Sequence, residues 1–261
     1  MADLVHVLPI QSVSAEGCDA LSKIELLEGD SVIKMKEYSD VVRSFWEVNQ
    51  LYEQFRWNYS ELRRLVPCDR SDILSDGFAG GRFGERIVVN GAFCNYVSAG
   101  RGLIDRMQAV MREYDKGSKD ELYKDYWKLP FSWYDGGGLY VFMYEIRNPV
   151  QHGQTVVSLV KEKGSTRVRF DLDQIADMRE YSTSAKLRAF LDTTISKIKE
   201  CDPSGSPFLS FRYTNMEYNK LVIELFCHFL QCAEPRIREV RRNTERVLSQ
   251  HDGAIGSLGG S

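Results

Sequence analysis

The chain has 261 residues, 43% of them hydrophobic, 11% aromatic and 27% charged, which suits a globular protein with a sizeable core: one large domain, or one with appendages. A net charge of -3 excludes a uniformly basic nucleic-acid coat but leaves room for a local basic patch, because steering follows the distribution of charge rather than its sum. The six cysteines are scattered with no C-x-x-C pair, a pattern of reduced thiols rather than a disulfide framework or a zinc site.

Residues 1–35 are mixed, with one short apolar run, Leu4-Val5-His6-Val7-Leu8, that would suit a strand. Over residues 37–66 apolar side chains such as Val41, Phe45, Val48, Leu51, Phe55, Leu62 and Leu65 recur at three- and four-residue spacing, which predicts a helix ended by Pro67. Residues 67–84 read as loop. Their last stretch, Gly77-Phe78-Ala79-Gly80-Gly81-Arg82-Phe83-Gly84, lacks the Lys-Ser/Thr of a phosphate loop and reads as a flexible connector. A second helix is expected over 85–114, its apolar side carrying Ile87, Phe93, Val97, Ile104, Met107 and Met111. A third spans 119–128 and ends at Pro130, and Gly136-Gly137-Gly138 leads into a fourth over 139–151.

Beyond this the pattern changes. Residues 155–160 and 166–172 are rich in β-branched types and flank Lys163-Gly164-Ser165, which reads as a hairpin turn. Helical pattern returns over 184–200, breaks at 201–207, and resumes over 215–249 with a kink or break expected at Pro235. The expected fold is mainly α: an up-and-down helical bundle over 36–153, with an appended β-hairpin and C-terminal helices over 154–250 packed on it. Residues 1–35 form an N-terminal segment, and 251–261 a Gly/Ser-rich flexible tail.

The chemistry concentrates in Tyr144-Glu145-Ile146-Arg147-Asn148-Pro149-Val150-Gln151-His152-Gly153. One strong cation, one amide and one side chain that carries a proton near pH 7 make a minimum kit for cleaving a phosphodiester without metal. Asn148 and His152, four apart, share a helix face; Arg147 points about 100° away, and its long side chain can reach back. Pro149 should distort the turn before it, and Gly153 lets the helix stop, leaving His152 at a helix end. A histidine there can instead simply satisfy the last carbonyls.

This segment resembles the HEPN family of ribonucleases, whose motif is an Arg, a polar residue, three to five further residues and a His. Arg147, Asn148 and His152 match in order and spacing, and Glu145 stands where an acidic residue is often found in that family. The resemblance covers the bundle, about half the chain, and does not account for the hairpin and C-terminal helices. It implies RNA as substrate and cleavage with no metal or cofactor: the ribose 2′-OH attacks the adjacent phosphate and leaves a 2′,3′-cyclic phosphate (or 3′-phosphate) and a 5′-OH. His152 would be general base or acid, Arg147 would stabilise charge on the phosphoryl oxygens, Asn148 would orient His152 or the phosphate, and Glu145 would support them. It further implies a homodimer with a composite site, a cytoplasmic toxin or anti-phage effector, and an antitoxin or regulatory protein as a further partner.

Other features are read more plainly. No secretion signal or membrane-spanning stretch is present, so a cytoplasmic protein without membrane contact is expected. Arg167 and Arg169 share one side of a strand and, with Arg241 and Arg242, are candidate RNA-binding cations. The arginines over 236–246 are interleaved with glutamates and read first as a solvated, salt-bridged helix face. Trp46, Trp57, Trp127 and Trp133, at helical spacing, are expected in the core rather than as stacking platforms. Cys227, His228 and Cys232 read as packed helix residues. Two further functions fit the same residues: a non-catalytic HEPN-like module that binds RNA, a nucleotide or a partner protein, and a helical scaffold in which the motif is accidental.

Overall fold

A seven-residue rhythm shapes the first helix. In a computed structural model the described residues are 30–66, 81–115, 122–151, 153–162, 165–178 and 184–258. The run over residues 4–8, the segment 67–80, the turn residues Lys163 and Gly164, and His152 lie outside them. Helix α1 (Asp30–Leu65) buries Val41, Val48, Phe55 and Leu62, together with Ser44, Asn58 and Leu65, a narrow stripe that suits a bundle seam. Trp46 (50% exposed) and Trp57 (63% exposed) fall outside this stripe, so they stand in solvent rather than in the expected core.

Helix α2 (Gly81–Asp115) begins inside the glycine-rich stretch expected to be loop. Glycine's penalty of about 1 kcal/mol in a helix is small beside what packing of the rest of α2 supplies. Ile87 is exposed, because the buried face passes instead through Val89, Phe93, Val97, Ile104 and Met111. Helix α3 (Leu122–Asp135) runs through Pro130, where a stop was expected. One ladder bond is lost there, and the buried Pro130 ring is held by packing. Gly137, at φ 65, reverses the chain into α4 (Leu139–Gln151), which likewise continues past a buried Pro149. Gly153, at φ 79, ends it: Gly153 N–H donates to Val150 O at 3.1 Å and Gln154 N–H to Pro149 O at 2.9 Å.

The expected hairpin is present. Strand β1 (Val157–Glu162) pairs antiparallel with β2 (Ser165–Asp171), Val157 opposite Phe170 and Glu162 opposite Ser165. A third strand, β3 (Phe208–Ser210), extends the sheet in the order β1-β2-β3, with Arg169 opposite Ser210. The short helix α5 (Leu172–Ala176) is capped by Asp171, whose carboxylate accepts from Gln174 N–H at 3.1 Å. Helix α6 (Ala185–Cys201) is capped by Ser184. Helix α7 (Phe211–Leu258) passes through Pro235 without a break and reaches into the tail expected to be flexible. The protein is mainly helical, with a small antiparallel sheet.

Two compact units divide the chain. The larger, Val48–Cys232, holds α2 to α6, the sheet and the adjoining parts of α1 and α7. Its centre is aromatic: the rings of Phe55 and Tyr96 stack at 5.1 Å, and Tyr218 meets Tyr96 edge-on at 5.8 Å. Gly100 makes this possible, since a Cβ there would stand 2.8 Å from the Tyr218 hydroxyl and 3.2 Å from Phe55. A second cluster ties the sheet to the helices, with Phe170 at 5.2 Å from Phe93, 5.3 Å from Phe142 and 5.2 Å from Phe211. The other unit joins Met1–Glu47 with Ala233–Ser261. There Met35, Val41, Val240 and Val247 are buried, and Arg236 bridges Glu37 and Glu239.

Two outcomes follow from the core. Gly100→Ala should cost about 1–2 kcal/mol in urea unfolding, since overpacking typically costs about 1–3 kcal/mol and the helical gain of alanine returns about 0.5–1. The loss should shrink in a Tyr218→Phe background, which removes the closest contact. Burial also raises the phenols of Tyr96, Tyr126 and Tyr218 well above the usual value. A raised folded-state value gives stability that is complete below about pH 10, where the unfolded phenols are neutral, and is lost as pH rises further. Urea midpoints should therefore hold level to about pH 10 and then fall, with tyrosinate absorbance from these residues appearing only on unfolding.

Candidate functional site

Helix α4 carries a stripe of polar and aromatic side chains at helical spacing, Tyr140, Tyr144, Arg147 and Gln151, along its seam with α2. The two helices run antiparallel here: Ser98 of α2 meets Gln151, and Arg101 of α2 meets Tyr144. The Arg101 guanidinium lies 3.8 Å from the centroid of the Tyr144 ring, and its Nε donates to Asp105 at 2.9 Å. This cation is therefore used within the structure.

Arg147 has a different environment. It is half-buried, one turn before the end of α4, where the helix carbonyls favour positive charge. With the Gln151 amide turned so that its oxygen faces Arg147, Oε1 accepts from Arg147 Nη2 at 3.0 Å, from Arg147 Nε at 3.1 Å and from Ser98 Oγ at 3.2 Å. Among the described residues no carboxylate pairs with Arg147, whereas Arg56, Arg64, Arg101, Arg167 and Arg238 each meet one. The charge is felt below the seam. Burial pushes the Tyr218 phenol far up, Tyr140 and Asp105 act in the same direction, and Arg101 and Arg147 pull it partly back.

The other expected site residues are distributed around this point. Asn148 is exposed beside Arg147, and His152, the next residue after Gln151, is outside the described residues. Glu145 accepts a hydrogen bond from the Tyr134 hydroxyl at 2.6 Å and so faces α3 rather than Arg147. Tyr134 is raised above the usual phenol range, first by burial and then by this bond to Glu145. Lys186 of α6 closes the group, its ammonium 4.1 Å from the centroid of Tyr134 and paired with Asp135.

The candidate RNA-binding arginines are largely spoken for by carboxylates. Arg167 and Arg169 both approach Glu162, at 3.1 and 3.9 Å, and Arg169 also lies over Phe208 at 5.0 Å. In the other unit Arg241 pairs with Glu245 at 2.7 Å, while Arg242 donates to the Arg238 carbonyl at 3.3 Å. His228 stacks on Tyr126 and approaches the Asp125 carbonyl at 3.3 Å, with Cys232 Sγ 3.7 Å from its Nε2. Cys227, expected to be packed, is exposed. Burial and the nearby Asp125 raise the Cys232 thiol, which disfavours the reactive thiolate. Among the described residues no group of three or more His, Cys, Asp or Glu is arranged to hold a metal ion, and no helix is long and apolar enough to cross a membrane.

Arg147 and Asn148 stand out in the sequence as candidates, whereas Gln151, Ser98, Arg101 and Tyr144 do not. Gln151 stands four residues after Arg147, a helical neighbour position that spacing could have flagged. Ser98 and Arg101 reach the site only through the packing of α2 on α4, which no local pattern encodes. No protein-family model, no curated protein and no solved structure matches the chain.

Proposed function

We propose that the protein is an endoribonuclease of HEPN type that cleaves RNA by attack of the ribose 2′-OH on the adjacent phosphate. The single observation that carries the reading is Arg147: a cation held by the Gln151 amide, which the Ser98 hydroxyl anchors in turn, and left without a carboxylate partner among the described residues. A guanidinium in that state keeps its full charge for an incoming anion, and its planar fork matches two phosphate oxygens. The mainly helical fold and the position of the motif at the end of a bundle helix agree with the resemblance drawn from the residues.

In this mechanism the 2′-oxygen forms a bond to phosphorus as the bond to the 5′-oxygen breaks. A base takes the 2′-OH proton, and an acid returns one to the leaving 5′-oxygen. His152 performs one of these transfers. Arg147 faces the negative charge that grows on the non-bridging oxygens, and Asn148, exposed beside it, orients the phosphate or His152. One histidine cannot serve both sides of an in-line displacement, so a second copy of the chain supplies the other group across a two-fold axis. A toxin or defence role, with an antitoxin or regulatory partner, belongs to this same proposal.

The test incubates purified protein with total RNA and tRNA in EDTA. Wild type is expected to cut, with Arg147→Ala slower by about 10²–10³-fold and His152→Ala by about 10²–10⁴-fold. Cleavage by both variants at the wild-type rate, or cleavage that disappears in chelator, overturns the reading.

A further inference from the structure

We infer that Gln151, anchored by Ser98, is the positioning residue of this site: it grips one edge of the Arg147 guanidinium and leaves the other edge to receive the phosphate. The inference rests on the ribonuclease reading and adds to it the direction from which the phosphate approaches.

A guanidinium has five N–H donors in one plane. The side-on edge, formed by Nε and one hydrogen of Nη2, is taken by Gln151 Oε1 at 3.1 and 3.0 Å. The end-on edge, formed by Nη1 and the second hydrogen of Nη2, has no partner among the described residues. That edge is a two-pronged donor of the right width for two oxygens of one phosphodiester. Residues 147 and 151 are one helical turn apart, so the backbone of α4 sets the distance between amide and guanidinium. Ser98, on a different helix, fixes the amide in turn through the 3.2 Å contact.

The chemical identity of residue 151 matters as much as its place. A carboxylate at this position would make the same two hydrogen bonds and cancel the charge. An amide orients the guanidinium and leaves its charge intact. Arg101, on the same seam, shows the opposite arrangement, closed off by Asp105 and Tyr144. A long arginine side chain otherwise loses rotamer freedom when it binds, and ordering it beforehand removes that cost from the reaction.

The test compares RNA cleavage by wild type, Arg147→Ala, Gln151→Ala and Gln151→Glu, with folding checked by far-UV circular dichroism. Gln151 is exposed at a helix end, so these changes should leave the fold in place. Gln151→Ala is expected to lower kcat about 10-fold with KM changed less than about 2-fold, and Gln151→Glu to lower it about 100-fold despite its matching geometry. NMR of the Arg147 Nε–H, assigned by its loss in Arg147→Ala, should show faster solvent exchange in Gln151→Ala. If Arg147→Ala is inactive while both Gln151 variants cut like wild type with unchanged exchange, the positioning role is wrong and the ribonuclease reading stands. If wild type and Arg147→Ala cut equally, the ribonuclease reading fails, and the phosphate role of the free edge fails with it.

Discussion

The absence of a side chain at Gly100 lets three helices approach closely in the larger unit. Tyr218 of α7 fills the space that a Cβ would need, and Phe55 of α1 closes against the same spot. Tyr96, one turn earlier on α2, completes the group, stacking on Phe55, meeting Tyr218 edge-on and donating its hydroxyl to the Asn215 carbonyl at 3.1 Å. Close-packed interiors transmit such constraints, because displacing one ring requires its neighbours to move. The Tyr218 hydroxyl also feels the charges of Arg101 on α2 and Arg147 on α4.

The rest of the larger unit braces α4 at both ends. Its first turn is tied to the sheet and to α6 through Phe142, which meets Phe170 at 5.3 Å and Phe190 at 5.4 Å. Its middle is held by Arg101 over Tyr144 and by Tyr134 on Glu145. In its last turn Pro149 and Val150 are buried, while among the described residues Arg147 meets only the Gln151 amide, itself held by the Ser98 hydroxyl. Among the described residues the positive charge of Arg101 is therefore compensated on the seam and that of Arg147 is left open at its end. Selective compensation of this kind separates a cation with a structural task from one available to a ligand.

The residues announced much of the helical architecture because three- and four-residue spacing is a local property. Val41 to Leu65 predicted the body and end of α1, though the helix starts at Asp30 inside the expected N-terminal segment, and the span of α4 was read to the residue. The errors have a shared cause. Pro130, Pro149 and Pro235 were weighed as local breakers, and in each case the helix continues, at Pro130 and Pro149 with the ring buried. Gly81 to Gly84 were read as loop for the same reason. The strand Phe208–Ser210 is three residues long and exists only by pairing with β2, so no periodicity could announce it. At the site, the chemical types of Arg147 and Asn148 could be read from the chain. The facts that Arg147 lacks a carboxylate partner among the described residues and that Glu145 faces Tyr134 come from tertiary packing alone.

The proposed function makes one central claim: the open end of the α4 seam serves attack by a ribose 2′-OH on its own phosphodiester. The most direct measurement is the chemistry of the new RNA ends after digestion in EDTA, read on a defined oligonucleotide beside a copy with a single 2′-deoxy sugar at the cleaved position. The account predicts a 2′,3′-cyclic phosphate or 3′-phosphate and a 5′-OH, with the 2′-deoxy copy left intact at that position. New ends bearing a 5′-phosphate and a 3′-OH, or cutting of the 2′-deoxy copy at the same site, would contradict it.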